Sequence, residues 1–72
     1  MANDTDRTVV KLAARIEQLR RQRKMTQEDL AEKAKLNRSY FWDLENGRNM
    51  TVKTAARIAK ALDVTLAELF SF

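Results

Sequence analysis

One glycine and no proline occur in 72 residues, so the chain has almost no obligatory breaks. No apolar–polar alternation lasts more than a few residues. Leu, Ala, Glu, Lys and Arg dominate, and these residues lose little side-chain freedom in a helix. The chain therefore reads as all-α. Asp6 is expected to cap a first helix whose apolar residues Val9, Leu12, Ile16 and Leu19 keep to one face. Thr26 with Asp29 marks a second start, with Leu30, Ala31 and Ala34 as its buried stripe. Asn37 begins a third helix that ends near Asn46 and Gly47, where glycine supplies a left-handed exit. Thr51 begins a fourth, with Val52, Ala55, Ile58, Ala59 and Leu62 inward. Thr65 with Glu68 begins a short fifth carrying Leu66, Leu69 and Phe70. Residues 1–6 are expected to be a disordered tail and residues 7–72 one small domain.

The residue inventory excludes much chemistry. There is no cysteine, hence no disulfide, thiolate metal site or cysteine nucleophile. There is no histidine, the commonest general base and metal ligand. Glu17, Glu28 and Glu32 are spaced as solvated helix surface, with no nucleophile for them to activate. No enzyme, metal or cofactor is expected. No apolar run approaches the roughly 20 residues that span a bilayer, and the polar N-terminus is unlike a signal peptide, so a cytoplasmic address is expected and no membrane partner.

The net charge is +4 and unevenly spread. Residues 7–24 carry Arg7, Lys11, Arg15, Arg20, Arg21, Arg23 and Lys24 against Glu17 alone. Such a helix is either a solvated charged face or attracts a polyanion, usually nucleic acid. The second and third helices are separated by Lys35-Leu36-Asn37 only, a connection that suits a helix-turn-helix crossing better than an antiparallel hairpin.

The segment TQEDLAEKAKLNRSYFWDLENGR, residues 26–48, resembles the helix-turn-helix of the Cro and phage-repressor (XRE) family of DNA-binding regulators. The arginine ahead of the motif, the TQ-x-x-LA start, the LENG close and TVKTAARIAKALDVTLAELF extend the likeness over about residues 15–70. It implies a compact five-helix domain of the phage-repressor DNA-binding type with a central helix-turn-helix. Leu30, Ala34, Leu36, Phe41 and Leu44 fall on its core positions, and Ala31 on its close helix crossing. Arg20 and Glu45 fall where the family places an ion pair between the first helix and the end of the third. The family usually has glycine at the turn position held here by Lys35, which implies positive φ at a lysine.

The implied function is sequence-specific binding of double-stranded DNA by a transcription regulator, a repressor or autoregulator. A phage-type repressor, an antitoxin-like autoregulator and a restriction–modification controller all fit; the RSY segment, residues 38–40, leans toward a controller or stand-alone repressor. With Phe41 and Leu44 inward, a turn of about 100° per residue puts Ser39, Trp42, Asp43 and Asn46 on the opposite side, with Arg38 and Tyr40 flanking. The N-terminal residues of the third helix meet base edges in such a motif. Arg38 and Ser39 are the first candidates for base reading, with Trp42 and Asp43 beside them. Asp43 either accepts from cytosine N4 or orients Ser39. Trp42 has three destinations: a thymine methyl, a neighbouring helix edge or a partner chain. Gln27, Asn37, Tyr40, Arg48 and Lys35 are expected on phosphates, with capping the alternative for Asn37.

One recognition helix covers too few base pairs for a genomic address, so a homodimer on a pseudo-palindromic operator is expected. Leu62, Val64, Leu66, Leu69, Phe70 and Phe72 form the candidate dimer surface; the alternative for the terminal phenylalanines is packing onto the first helix. A competing function is a protein-interaction module using the Tyr40 and Trp42 face.

Overall fold

The structure, a computed structural model, describes residues 4–72, with side chains from residue 6 onward. Five helices follow in order: α1 (Asp4–Gln22), α2 (Gln27–Lys33), α3 (Arg38–Glu45), α4 (Val52–Ala61) and α5 (Leu66–Leu69). There is no strand among the described residues. Thr26, Asn37, Thr51 and Thr65 cap the last four helices, as their sequence spacing predicts. Thr26 and Thr65 form complete capping boxes with Asp29 and Glu68. The bonds from the Thr26 backbone and side chain hold the Asp29 carboxyl below its ordinary 3.8. At α1 the expectation is corrected. The helix already runs at Asp4, so Asp6 lies in its first turn instead of capping it, where a negative charge still suits the helix dipole. Residues 4–6 of the expected tail are helical, and residues 1–3 lie outside the described residues.

Four helices end in the same way. Lys24, Lys35, Gly47 and Asp63 have φ of +54°, +58°, +95° and +59°, so a single glycine serves one of four left-handed exits. Each exit carries a pair of backbone bonds, for example Lys35 N–H to Glu32 O at 3.1 Å and Leu36 N–H to Ala31 O at 2.8 Å. This is the Schellman arrangement, which satisfies the last carbonyls and turns the chain sharply. Lys35 thus adopts the conformation its position implies, at the roughly 1–2 kcal/mol that a side chain costs there.

The core draws on every helix. Ile16, Leu30, Phe41, Leu44, Ile58, Leu62 and Leu69 are completely sealed. Each such side chain contributes about 1.5–3 kcal/mol relative to an exposed one. α2 packs against α3 and α4, α1 against α3 and α5, and α4 against α5. Nearly buried Ala31 and Ala34 keep the α2 contacts close. Val52 departs from its expected place: it shares a stripe with Ala55, but at the first turn of α4 it rims an open groove and stays 73% exposed.

Candidate nucleic-acid interface

Burial of Phe41 and Leu44 fixes the rotation of α3 and leaves its opposite side in solvent. Trp42 is 54% exposed there, with Arg38 and Ser39 exposed beside it. Gln27, Arg38, Ser39, Trp42 and Asp43 line one open depression, so all four expected base readers come together. Among the described residues Arg38 is held only by a wet 3.5 Å contact with Glu28, which contributes little and leaves the guanidinium available.

The orientation of α3 is set from beneath. Arg20 Nε donates to Glu45 Oε2 at 2.8 Å, with side chains 10% and 3% exposed. Arg20 Nη1 also donates to the Met25 carbonyl at 2.7 Å, tying the α1–α2 turn into the same knot. The implied ion pair is therefore present, and it has a third member that sequence reasoning missed. Gln27 Nε2 donates to Glu45 Oε1 at 2.8 Å, so the amide expected on a phosphate is turned inward and joins α2 to the end of α3. No local signal marks this contact, because Gln27 and Glu45 are 18 positions apart.

Asn37 caps α3: its Oδ1 accepts from the Ser39 and Tyr40 amides at 2.8 and 3.2 Å. Asp43 is held by Arg48, Nη1 to Oδ2 at 3.2 Å, and not by Ser39, which corrects one of its two expected roles. The guanidinium carbon of Arg48 also lies 5.0 Å from the Tyr40 ring centroid, within cation–π range. Two expected phosphate binders and one expected base reader are thus a single cluster. Lys35 is exposed at the turn before α3.

The basic first helix is partly structural. Arg15 donates through Nε and Nη2 to the Glu68 carbonyl at 3.3 and 3.0 Å, fastening α1 to α5. Arg21 pairs with Glu17 along the helix, and Arg23 bonds the Leu19 carbonyl. The candidate dimer surface also needs correction. Leu62 and Leu69 are sealed within this chain at 0% exposure, so they are core and offer no surface. Val64 and Leu66 are half-buried and line a shallow depression beside α4. Phe70 and Phe72 are 42% and 53% exposed, with ring centroids 6.1 Å apart. Phe70 rims a different groove, shared with Val9 and Leu12 of α1, so the packing alternative holds for it in part. Among the described residues no cluster of His, Cys, Asp or Glu is arranged for a metal ion, and no helix is long and apolar enough to cross a membrane.

Known proteins share this arrangement. A helix-turn-helix family model matches residues 16–69. The immunity repressor of Bacillus phage phi105 is 43% identical over 56 residues, which is 76% of this chain and 39% of the repressor; the chain thus spans about two fifths of that relative. Control protein C.MunI of a Mycoplasma species is 33% identical over 64 residues, 86% of each chain. The structure of the restriction–modification controller C.AhdI from Aeromonas hydrophila superposes with a TM-score of 0.82 at 37% identity, over 85% of this chain and 94% of that one. A nucleoprotein complex of the controller C.Esp1396I matches with a TM-score of 0.78 at 34% identity, over 90% and 95%. With its turn, its α1–α3 ion pair and its exposed α3 face all in place, the chain belongs to the helix-turn-helix (XRE-type) family of DNA-binding transcription regulators.

Proposed function

We propose that the protein binds a pseudo-palindromic operator as a homodimer, with α3 of each subunit in the major groove, and regulates transcription as a repressor or controller. One observation carries this reading. Arg38, Ser39, Trp42 and Asp43 share a single open depression, while the scaffold beneath them is sealed and fully bonded. Arg38, at the first turn of α3, has the planar fork that bonds guanine O6 and N7 together. Lys35, exposed at the turn before α3, is a phosphate partner in this reading. Exposed Phe70 and Phe72, with half-buried Val64 and Leu66, supply the apolar area for the two-fold contact. A cytoplasmic setting follows from this role.

Selection from random duplex DNA, with sequencing of the bound species, tests the reading. The expected product is two inverted half-sites about one helical turn apart, bound with a steep salt dependence of about −0.9 in slope per neutralised phosphate. Trp42→Ala is expected to weaken binding to the selected site while the oligomeric state is unchanged. Wild-type affinity in that variant on every site removes Trp42 from the interface. No enrichment from the pool, even at low salt, transfers the exposed α3 face to a protein partner.

A further inference from the structure

At three of the four left-handed exits, the residue after the turn is a half-buried apolar one packed on the core: Met25, Leu36 and Val64. At the end of α3 it is Arg48, which is exposed. The backbone device is otherwise identical, since Arg48 N–H donates to the Asp43 carbonyl at 3.0 Å as Leu36 N–H does to Ala31. A Schellman exit brings together the side chains of the two residues that this bond joins. At the ends of α2 and α4 that meeting is apolar, Leu36 with Ala31 and Val64 with Ala59, and at the end of α1 Met25 meets Arg20; here it is the Arg48–Asp43 ion pair, with the guanidinium over Tyr40. At 58% and 43% side-chain exposure the pair adds little to stability. Yet Asp43 lines the same depression as Arg38, Ser39 and Trp42. A bare carboxylate there would face the phosphate backbone and oppose every duplex alike.

We propose that Arg48 and Asp43 act as one specificity unit. Arg48, seated on Tyr40, screens Asp43 against the phosphates and holds its carboxylate to accept from cytosine N4 at one position of each half-site. Arg48 is then a positioning residue acting through Asp43, and not an independent phosphate contact. This inference rests on the DNA-binding reading above.

The test is a double-mutant cycle on the duplex that wild-type protein selects from a random pool, with melting temperatures checked for every variant. Arg48→Gln should weaken binding roughly tenfold, the size of a close charge coupling at an interface. Asp43→Asn in that background should recover most of the loss. Repeating the selection with Asp43→Asn should erase one cytosine preference per half-site and leave the other positions unchanged. Arg48→Lys keeps the charge without the planar stack, so it should retain affinity but blur that same position. Additive effects of Arg48→Gln and Asp43→Asn, with the salt slope falling by about 1 for Arg48→Gln alone, overturn the proposal and leave Arg48 a simple phosphate contact. A wild-type protein that selects no duplex fails before any variant is made, and sinks both the unit and the DNA-binding reading.

Discussion

Glu45 and Asp43 lie two residues apart on α3 and each meets an arginine, but the two pairs belong to different parts of the molecule. Residue 45 is about 40° around the helix from buried Phe41, whereas residue 43 is about 160° away. That rotation alone places one carboxylate inside and the other in water. Glu45 takes bonds from Arg20 and Gln27 and is 3% exposed; Asp43 takes one from Arg48 and is 43% exposed. The same chemistry therefore orients α3 in one case and, under the proposed function, faces the DNA in the other. Location around the helix, and not residue type, divides scaffold from interface.

The sharpest way to break this contrast is to delete each carboxylate. Glu45→Ala leaves Arg20 buried without its partner and should cost about 3–5 kcal/mol in urea denaturation. Asp43→Ala should change stability by no more than about 0.5 kcal/mol, as expected for a wet pair. Similar losses in the two variants would erase the distinction. A smaller effect of opposite sign is expected at the turn that leads into α3. Lys35→Gly relieves a side chain at φ +58° and should raise stability by about 1 kcal/mol, visible as a higher Tm, because the glycine's extra unfolded-state freedom offsets only part of the relief. An unchanged or lower Tm would mean that lysine is not strained there.

The smallest effect concerns a third carboxylate, which is exposed yet bonded to backbone. The folded state holds Asp29 below 3.8, so its contribution is fully present above that pH and is lost as pH falls through the lower folded value. Asp29→Asn should lower Tm at neutral pH, and the gap to wild type should close on acidification. A gap that persists at pH 2 would show that the cap stabilises through something other than the charge.

Much of the fold was legible because its signals are local. Thr26, Asn37, Thr51 and Thr65 each bond an amide two or three residues on, so the caps can be read without knowing the rest of the chain. The left-handed exits at Lys24 and Asp63 were not legible, since neither residue type announces positive φ. The depression gathering Arg38, Ser39, Trp42 and Asp43 follows from helical rotation once Phe41 and Leu44 are placed inward. What rotation cannot give is who meets whom across the fold. Gln27 reaches Glu45 through the packing of α2 on α3, and Arg48 swings over Tyr40 because Gly47 turns the chain at φ +95°. The sequence does not say that Leu69 is core, because the apolar stripe of a helix only four residues long does not show whether its own chain covers it, whereas Leu62 already falls on the inward stripe of α4.

The recognition helix is started by Asn37 and stopped at Gly47, both outside it, and held down by Phe41, Leu44 and Glu45. Positions 38, 39, 42 and 43 are left with almost no part in folding. Under the proposed function, substitutions there change the DNA address while the protein's melting point stays put. Descendants of such a chain can drift from one operator to another by a few changes at these sites, and a mutation that damages the fold must arise elsewhere.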